Sequence, residues 1–228
     1  SKASIVLFDG SPMYKKEDLL LKIANKEDIT LFGVSAKYID ALRKTNINFK
    51  KKYKLSKLRT ICSTGSPLSE DSFNYVYKNI KKNLHLASIS GGTDIVSCFV
   101  LGNLYQPVYP GEIQNKGLGM DVRVFDERGK SITDKKGELV CVNPFPSMPL
   151  KFWNDKNDNK FKKAYFNKFK NIWHHGDYAK ITNKNGFIIV GRSDTTLNPG
   201  GVRLGTAEIY SEIEKFKEIK ESLVVGQS

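Results

Sequence analysis

Short apolar runs alternate with amphipathic stretches through the first part of the chain, the pattern of strands separated by helices. Residues 5–8 (IVLF) form an apolar run closed by Asp9-Gly10-Ser11-Pro12, a turn signal. From Glu17 the sequence EDLLLKIANK sets Leu20, Ile23 and Ala24 on one side of a helix with acids in its first turn. Residues 29–34 read as a strand, and Ser35 stands where it can cap a helix carrying Tyr38, Ile39 and Leu42. Residues 58–69 give a strand that breaks at Gly65 and Pro67, with Ser69 as the cap of the next helix. LHLASI, residues 84–89, is a further strand running into Gly91-Gly92. This order predicts an α/β fold whose first part is a layered, mostly parallel sheet with helices on its faces.

After Pro107 the pattern shifts to short strands and tight turns. Residues 121–125 and 137–142 flank DERGK, and residues 179–182 and 187–190 flank NKNG, a hairpin signal. The spacing predicts a small barrel-like antiparallel region. Beyond residue 191 comes a glycine-rich polar stretch, GRSDTTLNPGGVRLG. A helical stripe of Ile209, Ile213 and Phe216 and a closing strand from Ser222 follow it. One helix and a few strands cannot bury a core of their own. The expected organisation is therefore residues 1–191 as a partial large domain, layered over 1–106 and mainly antiparallel over 107–191. Residues 192–228 would be a hinge and the truncated start of a mobile α+β C-terminal domain.

Composition narrows the class. Cys62, Cys98 and Cys141 sit in apolar runs, and an odd count of three excludes a disulfide scaffold and suits a reducing compartment, so a cytosolic protein is expected. No run approaches the roughly 18 apolar residues of a membrane span. With 37 Lys+Arg against 24 Asp+Glu the formal charge is +13. Its clusters, Lys50 to Lys57 and Lys156 to Lys170, are broken by Asn and aromatics and read first as a solvated face, then as a field for anionic ligands. No nucleic-acid recognition module is present, so no nucleic-acid partner is expected.

Candidate chemistry gathers at strand ends, where open α/β sheets bind ligands. In TGSPLS, Gly65 permits a close backbone approach, although a plain strand-to-helix turn explains it equally. In SGGTD, Gly91 and Gly92 would let a phosphate reach the backbone and Thr93 could donate to it. Asp94 would there serve through a bridging cation such as Mg2+, with an Asx-type turn as the alternative. In WHHGDYA, placed before a strand, the carboxylate of Asp177 could accept both hydroxyls of a ribose. His174 and His175, with only His85 besides, lack the spacing of a zinc site. Arg192 and Arg203 are the basic residues of the glycine-rich stretch and are candidate anion contacts, while Asp194 lies at the junction.

These segments, with ITLFGVSAKYIDAL, GELV and above all GRSDTTLNPGGVRLGTAEIY, resemble the adenylate-forming acyl-CoA synthetases along essentially the whole chain. SGGTD favours the acetoacetate-activating branch, since most relatives carry an aromatic residue, then Gly-x-Thr-Glu. The resemblance implies ATP, Mg2+ and coenzyme A as ligands and acetoacetate as the acid. By that resemblance Gly65, Ser66 and Pro67 would wall the adenine, and Thr93 would act on the α-phosphate. Asp94 would stand near Mg2+ with one methylene less reach than the usual Glu, and Asp177 would hold the ribose with Arg192. Asp194 would be the hinge, Gly200 and Gly201 would pass the pantetheine arm, and Arg203 would act near the phosphate in one domain orientation. The family's phosphate loop and adenylation Lys are not in this sequence. The chain is therefore expected to be an internal piece with little synthetase activity by itself. An acetyl or other short-chain synthetase, and a non-catalytic nucleotide-binding relative, are the alternatives.

Overall fold

The computed structural model describes residues 2–194, 206–213, 216, 218, 219 and 222–224. In α1 (Leu19–Lys26) Leu21 and Ala24 face the core. Parallel strand β1 (Leu31–Ser35) leads into α2 (Ala36–Lys44), whose first turn is capped as the sequence predicts: the Ser35 side chain accepts from the Tyr38 amide at 3.1 Å. Next come β2 (Thr60–Thr64) and α3 (Glu70–Tyr75), capped by Ser69 accepting from the Ser72 amide at 3.3 Å. A π-helical turn over Val76–Ile80 extends α3, and β3 (His85–Ser88) completes a parallel sheet of order β1-β2-β3. Leu21, Ile39, Leu42, Phe49, Ile61, Phe73 and Leu86 form its core.

The chain then turns antiparallel. β4 (Ser90–Gly92), β5 (Ser97–Leu101) and β6 (Asn115–Lys116) form one small sheet. β7 (Val122–Phe125) and β8 (Gly137–Cys141) are followed by α4 (Asn159–Tyr165), β9 (Trp173–Ile181) and β10 (Phe187–Arg192). The second sheet has the order β10-β9-β8-β7. A shared core of Phe99, Val122, Leu139, Trp173, Ala179 and Phe187 joins the two sheets with Phe161 and Tyr165 of α4. Finally α5 (Thr206–Ile213) packs against β10.

Several expectations need correction. The region after residue 107 is not barrel-like: β7 and β10 are opposite edges of an open four-stranded sheet and do not pair. Four short strands are too few, since about eight give a barrel whose interior side chains just fill. Here helix α4 and the neighbouring sheet cover the apolar face instead. The layered first part does carry a parallel sheet, β1-β2-β3, but β4 and β5, which also precede residue 107, pair antiparallel. Residues 5–8 form no strand, and Ile5 and Leu7 lie exposed with no ladder to join. WHHGD does not precede a strand but opens β9. Residues 222–224 are not in a strand.

One irregularity shapes the site. A bulge between Ile189 and Gly191 shifts the β9–β10 register by one, so that Arg192 stands opposite Asp177. Gly191 takes φ +131° within it. Among the described residues no helix is long and apolar enough to cross a membrane.

Candidate active site

Three of the glycine-bearing stretches meet. The ends of β2 and β3 lie side by side, with Ser63 opposite Ser88 and the Ile89 amide donating to the Ser63 carbonyl at 2.9 Å. This sets Gly65, at φ +86°, beside the start of β4. No atom lies within 4 Å of a Cβ built on Gly65, so its glycine serves the backbone angle and leaves open space there. Ser66 and Pro67 continue the turn toward the Ser69 cap.

From β4, the Gly91 carbonyl lies 3.1 Å from Nε2 of His175 in β9, which joins SGGTD to WHHGD. A Cβ on Gly91 would lie 2.2 Å from the Ser97 carbonyl oxygen, so this glycine is required by the β4–β5 pairing itself. A Cβ on Gly92 would lie 3.0 Å from Cε1 of His175. Thr93 and Asp94 stand exposed in the turn to β5. The Tyr165 hydroxyl donates to one oxygen of Asp94.

Asp177 and Arg192 face each other across the hairpin. The Arg192 Nη1 approaches Asp177 Oδ1 at 3.5 Å and the His175 carbonyl at 3.4 Å, while its Nε donates to Asp194 Oδ1 at 2.9 Å and its Nη2 to Asp194 Oδ2. The guanidinium thus forks between two carboxylates. To do so it crosses Gly176, where a Cβ would lie 2.9 Å from Nη2 and where φ is +81°. Burial pushes the Asp177 carboxyl above the ordinary carboxylate range, opposed by His175 and Arg192. Burial depresses the His175 imidazole below its ordinary value, against the pull of Asp177. The hydrogen bond from Arg192 holds Asp194 below its ordinary value.

A further carboxylate, Glu138, was not singled out from the sequence. Glu138 of β8 is buried, and burial by itself would raise its carboxyl. Hydrogen bonds from His174, Lys168 and Ser193 outweigh that and bring it down to about 2. His174 Nε2 lies 2.8 Å from Oε2, and the Lys168 ammonium holds Oε1. Ser193, which stands between Arg192 and Asp194, thereby joins Glu138 to that pair. Successive strand residues point to opposite faces, which is why His174 serves Glu138 and His175 serves Gly91. That alternation was the available signal for His175; the Glu138 contacts join residues far apart in sequence and left none.

Two cavities open beside these elements, and the first reaches the Glu138 network through Lys168. One of about 630 Å3 is lined by Phe161, Lys162, Phe166 and Lys170 among others, and one of about 170 Å3 by Gln106, Tyr109, Glu112 and Lys184 among others. Among the described residues no group of three or more His, Cys, Asp or Glu is arranged to hold a metal ion. Gly200, Gly201 and Arg203 lie outside the described residues.

No family model matches the chain. Among curated proteins, acetoacetyl-coenzyme A synthetase of Rhizobium meliloti (strain 1021) is 53% identical over 225 residues, covering 99% of this chain and 35% of that protein. Acetoacetyl-CoA synthetase of Gallus gallus is 49% identical over 226 residues, covering 99% and 34%. Over these residues the chain matches members of the acetoacetyl-CoA synthetase family at high identity. The solved acetoacetyl-CoA synthetase from Streptomyces lividans superposes with a TM-score of 0.86 at 42% identity, covering 96% of this chain and 34% of that one. An anthranilate CoA ligase in complex with anthranoyl-AMP shares the fold at 20% identity, with a TM-score of 0.74 over 92% of this chain and 38% of that one. The chain spans about a third of the length of the curated relatives it matches.

Proposed function

We propose that the protein carrying this chain is an ATP-dependent acid–thiol ligase that makes acetoacetyl-CoA from acetoacetate, ATP and coenzyme A. The observation that carries the reading is the convergence of SGGTD and WHHGD through His175 and Gly91, with Arg192 brought opposite Asp177. Residues 1–191 would form the nucleotide-binding part. Residues 192–228 would be the hinge and the beginning of a smaller, mobile domain. Free cysteines at positions 62, 98 and 141 accord with a cytosolic setting.

In this reading the acid carboxylate attacks the α-phosphorus of ATP, pyrophosphate leaves, and an acyl-AMP anhydride forms. The thiolate of coenzyme A then attacks the acyl carbonyl and AMP departs. Repulsion between the anionic acid and the triphosphate opposes the first step, so donors and cations must be fixed in advance. Thr93, exposed in the β4–β5 turn, would donate to the α-phosphate. Gly65, Ser66 and Pro67 would flank the adenine, with the open space over Gly65 leaving room for a ring.

Asp177 would accept the ribose hydroxyls, with Arg192 steadying the carboxylate. Asp194, bound by the same guanidinium, would release it when the domains turn. Gly200 and Gly201 would line the thiol's path, and Arg203 would approach the phosphate. Asp94 has one oxygen engaged by Tyr165 and the other open. A single carboxylate plus phosphate oxygens suits Mg2+, which keeps most of its shell as water. When bound there, the ion would neutralise phosphate charge.

The test is acid-dependent pyrophosphate release and acyl-CoA formation by the complete protein, with acetoacetate, acetate and butyrate offered in parallel. Acetoacetate is expected to give the highest kcat/KM. Release that ignores every acid would end the ligase reading, and a preference for acetate would reassign the substrate.

A further inference from the structure

We propose that His175 is a positioning residue that locks the Gly91 backbone to the Asp177 carboxylate, and so fixes the ribose end of the site relative to its phosphate end. The inference rests on the reading of Asp177 as the ribose ligand.

His175 and Asp177 are two residues apart in β9 with Gly176 between them, and both side chains are nine-tenths buried or more, at 8% and 10% exposure. His175 Nε2 lies 3.1 Å from the Gly91 carbonyl and 3.6 Å from Asp177 Oδ2. A carbonyl oxygen only accepts, so Nε2 carries the hydrogen and donates, with Asp177 beside the same N–H. Nδ1 is then a bare lone pair, buried and without a partner. The neutral ring tolerates this better than a protonated one, which would bury an N–H with no acceptor.

The ring is held on its other sides as well. Phe99 meets it edge to face with centroids 4.8 Å apart, and Gly92 leaves it the volume that a Cβ would crowd. The imidazole therefore spans from the strand that carries the phosphate-side glycines to the one that carries the ribose carboxylate. Nothing in its contacts requires it to touch substrate. Its effect is to set the place of Asp177.

Glutamine places its amide nitrogen as many bonds from Cα as His Nε2, whereas asparagine reaches only as far as Nδ1. In the complete protein, KM would be measured for ATP and for 2′-deoxyATP in the wild type, His175→Gln, His175→Asn and His175→Leu. The wild type is expected to favour ATP, and His175→Gln to keep that preference within about twofold. His175→Asn and His175→Leu should lose about tenfold of it, the discrimination carried by one hydrogen bond to a charged group. The ratio separates positioning from a merely structural role, which would lower the melting temperature and leave the preference intact. If His175→Leu does not fold, the Gln and Asn pair, alike in polarity and different in reach, decides.

A wild type indifferent to the 2′-hydroxyl would remove the ribose reading of Asp177 and this inference with it. A wild type that discriminates, loses discrimination in Asp177→Asn and keeps it in His175→Asn would overturn the inference alone.

Discussion

Tyr165 lies flat against Trp173, with ring centroids 3.7 Å apart and planes inclined by 14°. Its hydroxyl reaches Asp94 while its ring rests on the residue that opens β9, so one aromatic pair ties the β4–β5 turn to the strand carrying Asp177. Stacking of this kind adds about 0.5–1.5 kcal/mol beyond area burial.

Replacing Tyr165 by Phe keeps the stack and deletes only the bond to Asp94. Because Asp94 is exposed, stability should fall by no more than about 1 kcal/mol. The freed carboxylate should lower the Mg2+ concentration giving half-maximal activity of the complete protein. An unchanged Mg2+ dependence would argue that Asp94 does not serve the ion.

Asp177→Asn preserves shape and removes the charge between His175 and Arg192. The expected result is a dissociation constant for ATP raised about ten- to a hundredfold, the value of one or two hydrogen bonds to a carboxylate. Titration calorimetry on the complete protein measures it directly. Affinity unchanged within twofold would place the ribose elsewhere.

Glu138 makes acid stability predictable. Its carboxyl, ordinarily near 4.5, is held at about 2. A depressed carboxylate contributes stability that is full above its unfolded value and drains away as pH falls through the folded one. The shift corresponds to about 3 kcal/mol at neutral pH. In urea unfolding, Glu138→Gln should be less stable than wild type at neutral pH. The gap should close between roughly pH 4.5 and 2. A gap that stays constant over that window would show that His174 and Lys168 do not depend on the charge.

The two glycines of β4 should differ in their tolerance of alanine. At Gly91 the new methyl would meet the backbone of Ser97 and Cys98 at 2.2 and 2.6 Å, which no rotamer can relieve. A loss of about 3 kcal/mol or more is expected. At Gly92 the obstacle is the His175 ring at 3.0 Å, which can give slightly, so the loss should be near 1 kcal/mol. Thermal unfolding of the two variants gives the order, and a more damaging Gly92→Ala would contradict it.

Local signals in the sequence sufficed where the structure is local. Ser35 and Ser69 cap the helices that follow them, and the strands around Ile61, Leu86 and Phe187 stand where their apolar runs place them. Closure was not readable, because short antiparallel strands have the same spacing in an open sheet as in a barrel and only edge pairing distinguishes them. Residues 5–8 have strand composition but pair with no strand among the described residues. Among candidate site residues, Asp94, Asp177 and Arg192 could be nominated by residue type. Glu138 could not, because His174 reaches it only through the pairing of β8 with β9 and Lys168 comes from the segment between α4 and β9.

The bulge in β10 has a bearing on which lengths of this hairpin natural variation or protein engineering can reach. Residues added at the tip, within 183–186, extend the ribbon outward and leave the Arg192–Asp177 alignment untouched. A residue added between Phe187 and Gly191 has to be swallowed by a wider bulge, or it slides the guanidinium past its carboxylate and onto the far side of the ribbon. Insertional libraries built on this segment should therefore recover functional clones at the tip and almost none along the returning arm.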